Sequence, residues 1–155
     1  MAAGPGSDEA RRVRATMEKL AACDGDYGRL HAEQAAKRAA WWEAQQGTLE
    51  LAGPLSRRAY TLFLLTYLGL DPDEVPVVYE DERRIVWRSH NFCSLLEACW
   101  RLGLDTRDVC PGSEQSVQDF IAHVDPRLRF SRDYAHGIRP HAPYCEERIE
   151  LEDSP

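Results

Sequence analysis

Three cysteines fall within one run, RSHNFCSLLEACWRLGLDTRDVC, from Arg88 to Cys110, and a fourth, Cys145, opens a β-prone segment near the C-terminus. A thiol can be a nucleophile, a metal ligand or a small apolar filler, and its surroundings decide which. Cys93 stands where helical periodicity begins. There, unpaired backbone N–H groups and the helix dipole favour an anion and so lower a thiol's pKa. Ser89 or Asn91 is suited to cap that helix end. Glu97 and Trp100 follow Cys93 at i+4 and i+7. Glu97 reads as a general base or as a solvated carboxylate, and Trp100 as core or as the wall of a flat ligand's pocket. Phe92, Leu95, Leu96 and Cys99 share another face, which makes Cys99 a core thiol.

Cys110 precedes Pro111-Gly112 and belongs to a turn between helices. The intervals from Cys93 to Cys110 and from Cys110 to Cys145 are 17 and 35 residues, and no C-x-x-C pair exists. A zinc-ribbon pattern is therefore unsupported, while assembly of Cys93, Cys110 and Cys145 around zinc or an iron–sulfur cluster stays open as an alternative to catalysis. The segment AHGIRPHAPYC gathers His136, Arg139, His141 and Tyr144 on a Gly/Pro-rich loop, where binding groups concentrate. A histidine beside a thiol can activate it; His90, three residues before Cys93, is as well placed in sequence as His141. Arg139 has the planar fork that clamps a carboxylate. Asp24 and Asp26 have the acidic look of a calcium loop, but the remaining ligands and the closing Glu are missing.

These groups need a scaffold, and the chain is long enough for one domain: 155 residues, 43% of them hydrophobic. We expect a flexible tail over 1–7, a single α+β domain over 8–151, and a short tail over 152–155. With 19 basic and 26 acidic residues the net charge is −7, which disfavours nucleic acid or an anionic membrane surface as partner. The N-terminal stretch has no signal-peptide core, and the longest apolar run, AYTLFLLTYLGL, is shorter than the ~20 residues of a membrane helix. A cytoplasmic location follows as an expectation. Five cysteines in that compartment are free thiols, ligands or catalytic groups sooner than disulfides.

Along the chain, Ser7 caps a helix with an apolar stripe at Val13, Met17 and Leu20. CDGDYG interrupts it, and RLHAEQAAKRAAWWEAQQ is helical again. LSRRAYTLFLLTYLGL reads as a buried helix stopped by Gly69 and Asp71-Pro72. VPVVYEDERRIVW is a β-hairpin. A helix over about Asn91–Leu102, ended by Gly103, precedes another with Val117, Phe120, Ile121 and Val124 on one face. DPRLRFSRDY and YCEERIEL form two closing strands. The order predicts N-terminal helices and a small antiparallel sheet built from a hairpin and two C-terminal strands. Trp41-Trp42 suits either a homodimer contact or the domain's own core.

The order of motifs from Arg88 to Ile149 resembles the L-2-amino-thiazoline-4-carboxylic acid hydrolase family. The matching elements are a Cys at a helix start (Cys93), a second Cys after a Leu-Gly helix end (Cys110), a Pro-x-Leu-x-Phe-x-Arg strand (Pro126 to Arg132) and a terminal Cys-acid-x-Arg strand (Cys145 to Arg148). Two departures stand out: Pro111, Gly112 and Ser113 follow the second Cys where the family often has an Asp, and the last loop is HGIRPHAP where the family's is usually Gly-rich and acidic. The resemblance implies cofactor-free hydrolysis of a C–N bond in a small cyclic amidine, possible in specialised metabolism. Cys93 would be nucleophile or water-orienting group, Glu97 or His90 the proton carrier, and Arg139 the carboxylate anchor. Cys110 and Cys145 would complete the catalytic set, and Asn91, Trp100, His141 and Tyr144 would line the substrate site. Cys-rich C-terminal strands also occur in iron–sulfur transcriptional sensors, although this chain has no DNA-reading helix-turn-helix. A domain that binds a small molecule without transforming it is the other alternative.

Overall fold

The computed structural model describes residues 7–153, so of the two expected tails only Ser7, Glu152 and Asp153 fall among the described residues. Helix α1 (Asp8–Ala22) begins as the sequence predicts, with Ala10 N–H donating to Ser7 Oγ at 3.0 Å. Its buried stripe is Ala10, Val13 and Leu20. The CDGDYG break holds Asp24 at positive φ and uses Asp26 as the N-cap of a single turn, α2 (Tyr27–Leu30). Asp26 is thus a cap and no part of a calcium loop. After His31 the chain continues as α3 (Ala32–Gln45).

Helix α4 (Leu55–Tyr60) does not run on as a regular α-helix. Residues Thr61–Tyr67 widen into a π-helical segment, with Leu68 N–H donating to Phe63 O. The widening lets three consecutive side chains, Leu62, Phe63 and Leu64, all bury. This apolar surface sits between sheet and helices, which is why the sequence shows hydrophobic residues on nearly every side.

The hairpin pairs β1 (Val77–Glu80) with β2 (Arg84–Ser89) through a bulge between Val77 and Tyr79. After α5 (Ser94–Leu102), a short α6 (Thr106–Val109), a 3-10 turn over Cys110–Ser113 and α7 (Glu114–Ile121), the chain closes with β3 (Leu128–Arg132) and β4 (Cys145–Leu151). The sheet order is β1-β2-β4-β3, antiparallel throughout. The C-terminal strand therefore lies inside, between hairpin and β3. The expected α+β class and its small antiparallel sheet are what the chain adopts.

Period-2 alternation gives the sheet two different faces. Ile85, Trp87, Leu128, Phe130 and Ile149 point into the core, under α4 and α7. The opposite face is laced with charge across the β2–β4 register: Arg88 with Glu146 at 3.1 Å and Arg84 with Glu150 at 3.6 Å. Trp41 packs edge-on against Tyr67, and Trp42 stacks on His123. Both tryptophans are partly buried and pack against the domain's own core. A smaller cluster of Leu20, Ala98, Cys99 and Val109 joins α1, α5 and α6.

Candidate functional site

Helix α5 opens at Ser94, later than the expected Asn91, because Cys93 itself is the N-cap. Its backbone is extended (φ −133°, ψ 111°), and its Sγ accepts from Leu96 N–H at 3.5 Å. Neither expected cap is free for the task. Ser89 donates to Glu147, and Asn91 Nδ2 donates to the Phe92 carbonyl. The sulfur of residue 93 thus occupies the place a Ser or Asp oxygen takes at most helix starts, half-buried at the positive end of α5. Gly103, at φ 69°, ends the helix in the left-handed conformation that glycine adopts at least cost.

Four of the five thiols share one neighbourhood. Cys99 is buried on the inner face of α5, as its stripe predicts; burial first, then Cys93 and Asp105, push its thiol up to about 11. Burial pushes Cys110 up to about 12. Arg132 opposes that shift, while Cys93, Cys99 and Cys145 add to it. Burial thus favours the protonated form of Cys110 at neutral pH. Cys145, half-buried at the start of β4, accepts from Arg139 Nε at 3.3 Å and from Arg139 N–H at 3.5 Å. The same guanidinium donates through Nη1 to Asn91 O at 2.8 Å. Arg139 therefore ties the last loop both to β4 and to the segment leading into α5. Its donors face protein groups, so in this structure it positions Cys145 and Asn91. Among the described residues no group of three or more His, Cys, Asp or Glu is placed to hold a metal ion, so Cys93, Cys110 and Cys145 do not form the ligand set considered from their sequence.

The other candidates spread over the surrounding surface. Glu97 pairs with Arg101 at 3.4 Å along the helix. His90 is exposed, held by its backbone N–H to Glu74 O, and its ring meets Tyr144 edge-on at 6.0 Å. Tyr144 also lies under the Arg88 guanidinium. Trp100 is 71% exposed, so it is not core. Together with Cys99, Asp105, Thr106, Pro140 and His141 it borders a cleft of about 260 Å³. His141 Nε2 lies 3.0 Å from Asp105 Oδ1. That contact and, more strongly, Arg107 hold the Asp105 carboxyl well below the usual carboxylate range.

Beneath the thiols lies a buried polar network the sequence did not single out. Trp87 Nε1 donates to Ser89 Oγ (3.2 Å), and Ser89 donates to Glu147 Oε1 (2.6 Å). Arg132 Nε donates to Glu147 Oε2 (3.2 Å), while its Nη1 reaches Ser113 Oγ (2.8 Å) and Cys110 O (3.2 Å). Burial alone would lower the Arg132 pKa; the charge of Glu147 and the Tyr134 hydroxyl outweigh it and raise it. A signal was available: Arg132 is two residues from buried Phe130, and Glu147 two from buried Ile149. Both charges therefore fall on the inward register of their strands.

Comparison with protein-family models, with curated proteins and with solved structures finds no match for this chain.

Proposed function

We propose that this chain is a thiol-dependent hydrolase that opens a C–N bond in a small cyclic amidine, with Cys93 as the attacking group. The observation that carries the reading is the Cys93 sulfur at the N-terminus of α5, receiving the Leu96 N–H. The sulfur is half-buried, at the start of a helix whose first N–H groups point toward it. Of the neighbouring thiols, Cys99 and Cys110 are pushed up by burial, and this makes them poorer attackers than a thiol at a helix start. The motif resemblance from Arg88 to Ile149 supplies the substrate class.

The chemistry balances without a redox partner. The thiolate adds to the electrophilic amidine carbon, forming a C–S bond. The ring C–N bond then breaks, and the departing nitrogen takes a proton from His90 or Glu97. Water adds to the remaining thioimidate carbon, and the C–S bond breaks to release the thiolate. The product is one ring-opened molecule that carries both an amide and an amine, and one water is consumed. Arg139 acts as a positioning residue that keeps the Asn91 segment and Cys145 in register.

The test is turnover of a panel of cyclic amidines, followed by mass spectrometry. Cys93→Ser keeps a capping atom at the helix start, so folding is retained while turnover is lost. Turnover by Cys93→Ser at the wild-type rate would sink the proposal. So would binding of every amidine with no product from the wild-type chain, which would leave a ligand-binding domain.

A further inference from the structure

Residues of α1, α3 and the first turn of α5 enclose a second cleft of about 340 Å³. Its chemistry differs from that of the thiol neighbourhood. Arg12 and Lys19 project from α1 and Lys37 from α3, and no acidic side chain lines it. Thr16 and Ser94 add hydroxyls, bonded to each other at 3.1 Å. His31, at the α2–α3 junction, completes the wall. Its Nε2 is closed off from solvent yet has no hydrogen-bond partner.

The cations are available. Among the described residues Arg12 makes no ion pair; its guanidinium lies over the Phe92 ring at 5.1 Å. Lys37 and Lys19 each pair with Glu33, which lies outside the lining, at 3.3 Å and 3.8 Å, with both partners well exposed. Exposed pairs of that kind are weak and yield readily to a better-matched anion. In a chain of net charge −7, three cations against the single adjacent Glu33 leave a local positive field against the overall sign. The volume lies at the small end of ligand pockets, which run from about 300 to 1,000 Å³.

We infer that the cleft between α1, α3 and the start of α5 binds a compact dianion of the phosphate-monoester kind, held by Arg12, Lys19 and Lys37 with Thr16 and Ser94 as hydrogen-bonding partners. Tetrahedral oxyanions suit this set: two ammonium groups act as point charges, one guanidinium as a fork, and two hydroxyls satisfy further oxygens. The inference is independent of the thiol reading, since it concerns binding and needs no turnover.

The experiment is calorimetric titration of the full chain with inorganic phosphate, glycerol 3-phosphate and malonate, each at one fixed ionic strength set with chloride. Saturable binding of a phosphate compound is expected. Arg12→Gln with Lys37→Gln should weaken it at least tenfold, and Glu33→Gln should tighten it several-fold by freeing both lysines. All three positions are exposed, so the variants fold. Tighter binding of malonate than of either phosphate would overturn the phosphate assignment. Lack of saturation by any of the three, or equal affinity in wild type and the double variant, would overturn the site itself.

Discussion

Arg132 and Glu147 face each other across the β3–β4 ladder and form an ion pair of 3.2 Å almost entirely out of water, with their side chains 14% and 9% exposed. The pair links the sheet core to the turn that carries Cys110, because the same guanidinium donates to the Cys110 carbonyl. Breaking one side leaves the other charge buried. We therefore expect Arg132→Met to lower stability by about 3–5 kcal/mol. Arg132→Met combined with Glu147→Leu should recover much of that loss, because no orphan charge remains. Urea unfolding midpoints of the two variants check this, and equal losses in both would contradict it.

The Cys93 cap predicts an unusual split between stability and chemistry. Serine is a stronger N-cap than cysteine, so Cys93→Ser should hold or raise the melting temperature. Cys93→Val, which offers Leu96 N–H no acceptor, should lower stability by about 1 kcal/mol. Thermal melts of both variants decide the point.

Thiol accessibility sets an order of labelling. With iodoacetamide at pH 8, Cys93 and Cys145 should react first: both are half-buried, as Cys110 is, but the Cys110 thiol is pushed up by burial. Cys99 and Cys110 should lag, because burial keeps both protonated. Their raised folded values also fix a sign. Unfolded thiols ionise near their ordinary value of 9.0, so the stabilisation is complete below that pH and is lost as pH rises through about 11 to 12. Peptide mapping after timed quenching gives the order, and uniform labelling would refute it.

His31 governs the acid side. Burial first, then Arg38, Arg132 and Lys19, lower its pKa from 6.5 to about 4. The unfolded chain takes up a proton that the folded one refuses, so stability is present above 6.5 and falls as pH drops toward 4. The loss should be about 1–2 kcal/mol once solvent screening is allowed for. Denaturation across pH 7 to 4 measures it, and His31→Gln should flatten that part of the profile.

Gly112 is required by close approach. A Cβ there would stand 2.5 Å from the Tyr27 carbonyl carbon. The turn after Cys110 can thus pack against α2 only without a side chain. Gly112→Ala should cost about 1–3 kcal/mol, visible as a lower urea midpoint, and a neutral result would mean that α2 moves aside freely.

Much of this fold was legible in local sequence, for reasons that are themselves local. Ser7 before two acids marks a helix start, the 2-residue alternation in RIVWRS and LRFSR marks half-buried strands, and Gly103 marks a helix end. The stripe of Phe92, Leu95, Leu96 and Cys99 identified the buried thiol correctly. The π-helical widening over Thr61–Tyr67 was not legible, because a run apolar on all sides has no phase to read. The cap of α5 was misplaced for a different reason: Ser89 is the better cap by type, but its hydroxyl is drawn to Glu147, 58 residues away.

What the sequence determined by itself was the class of fold and the buried face of α5 that carries Cys99, since both follow from the 3.6- and 2-residue periods of the backbone. Tertiary structure alone decided which distant groups meet. Arg12, Lys19 and Lys37 form no basic cluster along the chain and converge only when α1 packs beside α3. Cys93, Cys110 and Cys145 gather in one neighbourhood only because β4 inserts between β2 and β3. Such convergence depends on how helices and strands pack and pair across long separations, and no local period encodes it.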